Sequence, residues 1–326
     1  MRKSVQHILD LILKLPKSDQ EEIHQSLDTI ISNPQKFVYD EEMNSLKQEE
    51  KINCPHCDSK LTKGHGNYKG RKRFRCVLCR KTFTALTNTP IAHTQYPEKW
   101  SAFVSCYVEG LSLRKISSRL NINITTAFSW RHKLMNAYES TQVLSGITEA
   151  DETFFLHSEK GNKSVSQKRK PRKRGGKAPT PGISNNQIPV IVGTDRDGNM
   201  IAGVAGKGRI SAKDIKQVFE NHIDSKSTLC TDSHSSFKAF AKESHIEYIP
   251  LNISKGKRVV KKIYHIQNVN NSHAKIKKWM IRFNGVSSKY LQNYMKWFCL
   301  LDETKDQKDQ SKKFAQKIIH PSFETN

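Results

Sequence analysis

Two Cys-x2-Cys pairs, Cys54/Cys57 and Cys76/Cys79, are separated by eighteen residues, and this spacing constrains the chain more than any other feature. Each pair sets two thiols on one tight turn. The intervening stretch is long enough for a hairpin that brings the turns together, so four thiolates can surround one tetrahedral ion. Thiolates select zinc over hard cations, which predicts structural Zn2+ on Cys54, Cys57, Cys76 and Cys79. Two matched pairs argue against a lone redox motif. Seven cysteines used in this way suit a reducing compartment better than a disulfide framework. Within the module, Gly64 and Gly66 are expected at turns, and Tyr68, Phe74 and Phe83 on strands. Arg71, Lys72, Arg73 and Arg75 lead into the second pair. His56 and His65 lie close by, but four cysteines already complete a ligand set, so both are expected to face solvent or DNA.

Charge points to a partner. The 326 residues hold 55 Lys and Arg against 31 Asp and Glu, a net charge of +24. Such an excess favours a polyanion, because neutralising phosphates releases condensed counterions. No apolar run reaches the eighteen residues of a membrane span. The N-terminal apolar stretch is interrupted by Asp10 and Lys14 and lacks a small-residue cleavage site, so it reads as an amphipathic helix and not a signal peptide. Pro16 stops that helix, and Ser18 is placed to cap a second. The pair reads as a small helical cap, with docking or dimerisation as the alternative.

Five segments follow from these shifts in composition. They are a helical segment over 1–50, the cysteine module over 51–90, a helical region over 91–140, a large α+β domain over 141–302 and a polar tail over 303–326. The large domain carries a basic, Gly/Pro-punctuated loop at 158–187, whose KRKPRKRGGK run suits a phosphate-contacting arm.

Residues 110–135 predict a helix-turn-helix. Ser112 caps a helix with Leu113, Ile116 and Leu120 on one face, Asn121-Ile122-Asn123 turn the chain, and Thr125 opens a second helix. There Arg131, His132 and Lys133 are expected to be exposed, as suits entry into a major groove.

Residues 143–156 read as a buried strand with carboxylates at its centre. Alternation sets Glu149 and Asp151 on one side and Glu152 on the other. Buried charge is costly unless it is paired or bound to metal. A hairpin follows around the turn 195–198, then a helix over 211–223, a short strand ending at Thr231-Asp232-Ser233, a helix, a strand over 246–253 and helices over 265–283 and 289–301. Strand, hairpin, helix, strand, helix, strand, helix is the order of an RNase H-like mixed β-sheet. That layout brings Asp151 and Asp232 to one edge, where carboxylates suit two Mg2+ or Mn2+ ions for in-line displacement at phosphorus. Cys106, Cys230 and Cys299 are expected to be buried. Trp279, Tyr290, Tyr294 and Trp297 are expected in the core, and the basic run Lys255, Lys257, Arg258, Lys261, Lys262 along a phosphate track.

Three runs, EADETFF, TDSHSSF and HIQNVNNSHAKIKKWMIRFNGVSSKYLQNYMKW, resemble the catalytic blocks of ISXO-like insertion-sequence transposases, bacterial DDE-type enzymes with an N-terminal zinc ribbon. The resemblance covers roughly residues 50–300. It implies that Asp151 and Asp232 are the two aspartates of the DDE set. The third position departs from the pattern, since no Asp or Glu lies between Glu247 and Asp302. Asn270 and His273 share one helix face there; the resemblance favours Asn270 as third ligand, with His273 as the alternative and Lys277 touching the DNA backbone. It further implies end binding by the N-terminal modules, cleavage and strand transfer by the sheet domain, a homo-oligomer on double-stranded DNA, and a cytoplasmic, nucleoid-associated location without a membrane. A DNA-binding regulator or domesticated copy lacking catalysis, and a nuclease that cuts without joining, are the competing functions.

Overall fold

The computed structural model describes residues 8–9, 11–32, 53–68, 71–96, 99–162, 176, 181–252, 256 and 258–305. Most of the basic 158–187 loop, Lys255, Lys257 and nearly all of the polar tail lie outside the described residues. The chain divides into two compact units, residues 1–133 with 308–326, and residues 134–307. Among the described residues no helix is long and apolar enough to cross a membrane.

In the first unit, helix α1 (Lys17–Ser32) is followed by a three-stranded antiparallel sheet, β1 (Thr62–Tyr68), β2 (Arg71–Cys76) and β3 (Thr82–Phe83). Its buried cluster is Cys54, Phe74, Cys76 and Phe83, with Cys79 packed against it and the two rings stacked at 5.7 Å. Gly64 and Gly66 do not form the turn expected of them. They lie within β1, where the register shifts between Gly64 and Asn67. Gly66 has φ +73, the left-handed geometry that accommodates a bulge without Cβ strain.

Three helices follow: α2 (Trp100–Val108), α3 (Leu113–Leu120) and α4 (Ile124–Ala137). Ser112 caps α3 by accepting from the Lys115 amide, as its position predicts. Asn121 ends it at φ +47, and the Ile122 amide returns to the Ser117 carbonyl. The ammonium of Lys99 donates to the Leu120 and Asn121 carbonyls, completing the C-terminal cap. Helix α4 starts one residue before the expected Thr125, because Asn123 is the cap: its Oδ1 accepts from both the amide and the hydroxyl of Thr125.

The expected basic face of α4 is corrected more substantially. Arg131 and His132 are buried, and Arg131 donates to the Leu111 carbonyl. Lys133 donates to Ala92. Apolar demand from the Trp100–Phe103–Trp130 cluster, with Trp100 and Trp130 stacked at 4.7 Å, turns that face inward. What α4 exposes near its start is Asn123, Ile124, Thr125 and Ser129; the exposed cations on α3 are Arg114, Lys115 and Arg119, the last paired with Glu109.

The second unit is built on a five-stranded mixed sheet. Its strands are β4 (Ile147–Leu156), β5 (Gln187–Thr194), β6 (Met200–Val204), β7 (Thr228–Thr231) and β8 (Glu247–Pro250), arranged β6-β5-β4-β7-β8. The first three pair antiparallel; β7 and β8 return parallel to β4. Helices α5 (Ala212–Phe219) and α6 (Ser235–Glu243) cover one face, packing Ile215, Phe219, Phe237 and Phe240 on Ala150, Ile191 and Leu229. Helices α7 (Gln267–Ile281) and α8 (Leu291–Thr304) lie against the sheet as well and are joined by an aromatic cluster. In it, Trp279 meets Phe283 at 4.8 Å and Trp297 at 5.1 Å, both edge-on. Trp279, Tyr294 and Trp297 are buried, and Tyr290 is half-buried; Cys106, Cys230 and Cys299 are buried too.

The α5 face leaves no room at its centre. Gly193 pairs with Ala150, and a Cβ there would stand 2.7 Å from Leu144 Cδ1 and 2.7 Å from Phe219 Cε1. Both neighbours are fully packed, so Gly193→Ala is expected to destabilise the second unit by about 1–3 kcal/mol through overpacking. Chemical denaturation of the purified variant checks this; a midpoint equal to wild type would show that the helix can shift at no cost.

The turn after β5 is held by Asp195, which is 2% exposed. Its Oδ1 accepts from the Asp197 and Asn199 amides, and its Oδ2 from Asn199 Nδ2 and the Ser145 amide. That network presents the neighbouring Arg196 to the opposite end of β4.

Candidate active site and metal centre

Parallel pairing of β4 with β7 sets the carboxylates. Glu149 lies opposite Cys230, the last pair of that ladder, and two residues further along each chain Asp151 and Asp232 are close enough for the charge of one to act on the other. Neighbours in a parallel pair point to the same face, about 5 Å apart. The strand β7 ends at Thr231, leaving Asp232 at its carboxyl end; Ser233 follows at φ +73 and bends the chain sharply. Asp232 Oδ1 accepts from the His234 amide, which closes that turn. His234 then caps α6, its Nδ1 accepting from the Ser236 amide at 3.3 Å, so its ring has a structural task.

Helix α7 runs along the same face of β4. His273 Nδ1 lies 3.9 Å from Asp151 Oδ2, and its Nε2 is buried without a hydrogen-bond partner. Asn270, one turn earlier, is exposed and makes no side-chain hydrogen bond to either aspartate. Lys277, one turn later, is also exposed, and its charge reaches Asp151. The structure thus brings Asp232 and His273 each close to Asp151, with Asn270 and Lys277 on the same stripe of α7 as His273.

Electrostatics at the cluster follow from burial and crowding. Burial pushes the Asp151 carboxyl up to about 7, with the charges of Asp232 and Glu152 adding to it, while the Glu152 amide and Lys277 pull the other way. Burial, then Asp232, also raises Glu152, whose Oε2 is buried without a hydrogen bond. Burial and Lys277 hold His273 down at about 4, so its ring is neutral at pH 7 and free to donate a lone pair. A crowded, partly desolvated carboxylate set with unpartnered oxygens is one that a hard divalent cation would relieve. The donor types present, carboxylate oxygens and a neutral imidazole, suit such an ion, although among the described residues only the four cysteines bring three or more ligand atoms within 4.8 Å of one another.

A stability consequence follows for Asp151. Its carboxyl is raised from 3.8 to about 7 in the folded state, so folding is favoured with the proton on. That contribution is complete below about pH 4 and is lost as the pH climbs through 7. Without divalent cations, Asp151→Asn is therefore expected to be more stable than wild type above pH 7, by on the order of 3 kcal/mol. The two should converge near pH 4. Melting curves across that range check it; a variant no more stable at pH 8 would refute the buried, repelled carboxylate.

Glu149 has a part that the sequence did not disclose. It is 0% exposed, and its Oε2 accepts from the Asn268 and Val269 amides at 2.7 and 3.1 Å. Its Oε1 is met by ion pairing with Arg196 at 2.9 Å and lies 3.2 Å from His265 Nδ1. One signal was present. The residue before α7 is Ile266, which has no polar side chain to cap the helix.

In the first unit, the ligand atoms of Cys54, Cys57, Cys76 and Cys79 all lie within 4.8 Å of one another, an arrangement that could hold a metal ion. The two turns repeat each other. Cys54 N–H donates to the Ser59 carbonyl and Cys76 N–H to the Lys81 carbonyl, each five residues on. Asp58 and Arg80, directly after each pair, have φ +56 and φ +60. The Cys79 amide points at Cys76 Sγ at 3.4 Å, as amides do around a bound thiolate. His56 and His65 are exposed and stand outside the set.

Residues 143–299 match the family described as the ISXO2-like transposase domain. No curated protein matches the chain. Among solved structures, it is similar to a chain of the simian T-cell lymphotropic virus intasome in complex with PP2A regulatory subunit B56 gamma. There the identity is 10% over 61% of this chain and 64% of that one, with a TM-score of 0.28. It is also similar to a pre-cleavage Mos1 transpososome (11% identity, 67% of this chain, 78% of that one, TM-score 0.19). The Mos1 mariner paired end complex with Mn gives 10% identity, 66% and 76% coverage and a TM-score of 0.20. Likeness at these scores carries no weight beside the family match.

Proposed function

Because residues 143–299 belong to the ISXO2-like transposase family, we propose that this chain binds the ends of an insertion sequence and catalyses metal-dependent DNA cleavage and strand transfer. The observation that carries the reading is Asp151 at the parallel β4/β7 pairing, within reach of the charge of Asp232 and 3.9 Å from His273. The sheet order β6-β5-β4-β7-β8, with an antiparallel meander and two parallel strands, supports an RNase H-like reading of the second unit.

Asp151 and Asp232 would hold two Mg2+ or Mn2+ ions, with Asn270 or His273 as the third ligand. Bound there, the ions supply Lewis acidity at phosphorus and an activated oxygen nucleophile. Of the two candidates on α7, the neutral, inward-facing His273 is nearer in this structure, while Asn270 stands exposed at the rim. Lys277, exposed at that rim, would hold a phosphate. Lys275, Lys278 and Arg282 extend an exposed basic stripe along α7, suited to a DNA backbone.

In the first unit, the four cysteines would bind structural Zn2+ as a zinc ribbon. Helices α3 and α4 would act as a helix-turn-helix with a changed division of labour. Arg114 and Lys115 on α3 would contact phosphates, while Asn123, Thr125 and Ser129 at the start of α4 would face the bases. A homo-oligomer pairing two DNA ends is the assembly such chemistry requires.

The test is strand transfer on double-stranded DNA carrying the element ends, with Mg2+, for wild type and for Asp151→Ala, Asp232→Ala, Asn270→Ala and His273→Ala. The reading expects metal-dependent joining that both aspartate variants abolish. Wild type that only hydrolyses would leave a nuclease, and wild type that binds ends without cutting would leave a regulator.

A further inference from the structure

We infer that Glu149 is a positioning residue, a buried carboxylate that sets the register of α7 against β4 and thereby holds the α7 ligand over Asp151; this rests on the reading of the site given above. Ile266 gives α7 no side-chain cap, and the neighbouring His265 Nδ1 accepts only from the Gln267 amide. The amides that a cap would serve, those of Asn268 and Val269, are served instead by Glu149 from the middle of β4. That carboxylate lies two residues from Asp151, on the same face of the strand. The helix start is therefore referred directly to the strand that carries the aspartate.

The clamp has further parts. Arg196, held by the Asp195 turn, pairs with Glu149 at 2.9 Å and donates to the Ile263 carbonyl at 3.0 Å, which ties down the chain entering α7. At the other end, Lys160 lies four residues past β4. Its ammonium donates to the carbonyls of Phe283, Asn284 and Gly285 at 3.3, 3.1 and 2.7 Å, just beyond α7. A carboxylate at the N-terminus and a cation at the C-terminus both oppose the helix dipole, and both belong to one strand and its extension. Sliding α7 by a turn would break both sets of bonds at once, so His273 and Asn270 stay level with Asp151.

Glu149 faces the helix start and a cation: Oε2 accepts from two amides, and Oε1, which makes no hydrogen bond, is ion-paired with Arg196 at 2.9 Å. Its effect on the ion is indirect, as with groups that orient ligands from behind. Losing such a group typically weakens metal affinity about 10–100-fold.

The experiment uses the full-length, zinc-loaded protein, with Mn2+ as the probe. Mn2+ binding is followed by electron paramagnetic resonance and α7 by amide hydrogen exchange, for wild type, Glu149→Ala, Glu149→Gln and Asp151→Ala. Glu149→Ala is expected to speed exchange at Asn268 and Val269 and to weaken Mn2+ binding about tenfold or more. Glu149→Gln keeps a neutral acceptor and should recover part of both. Asp151→Ala should lose the ion with the exchange at those two amides unchanged. If Asp151→Ala binds Mn2+ like wild type, the reading of the site falls and this inference with it. If Asp151→Ala loses the ion while Glu149→Ala binds it normally, only the inference falls. Should Glu149→Ala fail to fold, the isosteric Glu149→Gln decides: weakened affinity supports the clamp, and unchanged affinity overturns it.

Discussion

Alanine at Asp151 or at Asp232 is expected to lower metal-dependent cleavage and joining of element-end DNA by on the order of 10³-fold or more. The two carboxylates lie close enough to feel each other's charge, so the loss of either removes oxygen from the same cluster. Glu149 is committed to Arg196 and the start of α7, and His273 offers a single nitrogen at a time. Removing both aspartates should cost little beyond removing one, because groups that act as a unit are strongly non-additive. Neither loss should be a folding defect. Asp151 is half-buried and crowded by like charge, so its removal relieves the folded state above pH 7. Single-turnover strand transfer, with melting temperature measured alongside, separates these effects. Full activity in both variants would remove the catalytic assignment, and lost activity with a collapsed fold would leave it unsupported.

Stripping the metal from the four-cysteine cluster is expected to unfold the first unit's sheet while leaving the second unit intact. Among the described residues the module's buried cluster is Cys54, Phe74, Cys76 and Phe83, and two of those belong to the group that could hold the ion. So small an apolar core cannot offset the conformational entropy of ordering three strands. Binding of structural zinc by comparable peptides contributes about 10–16 kcal/mol near pH 7, and here that energy would be folding energy. A strong chelator, or Cys54→Ser, should therefore abolish amide protection over β1, β2 and β3 and release one equivalent of zinc. Protection over β4 to β8 should persist. A sheet that keeps its protection with no ion bound would mean the thiols pack as ordinary core residues.

The unequal legibility of these features has physical causes. The cysteine spacing was readable because ligand geometry is local: each pair closes its own turn, as Cys54 with Ser59 and Cys76 with Lys81 show. Caps such as Ser112 were readable for the same reason. The exposure of Arg131 and His132 was not. Their helix was foreseen, but the face it turns inward depends on Trp100 and Phe103, aromatic partners on another helix. Gly64 and Gly66 were placed in a turn because glycine permits turns and bulges alike, and only the pairing partner decides between them.

At the site, the alternation of β4 sufficed to put Glu149 and Asp151 on one face, and the order of strands sufficed to bring in Asp232. What those carboxylates do was settled by what lies across from them. Asp151 meets another carboxylate and a neutral histidine, and its charge is left unbalanced; Glu149 meets two helix amides and an arginine, and its charge is consumed. By itself, then, the sequence determined the elements, their order and the residue types that can hold metal, since propensity, periodicity and ligand chemistry act over a few residues. Only the tertiary structure decided which of two carboxylates on one strand face is free to bind and which is spent on holding a helix. Burial and charge balance are properties of neighbours drawn from distant parts of the chain.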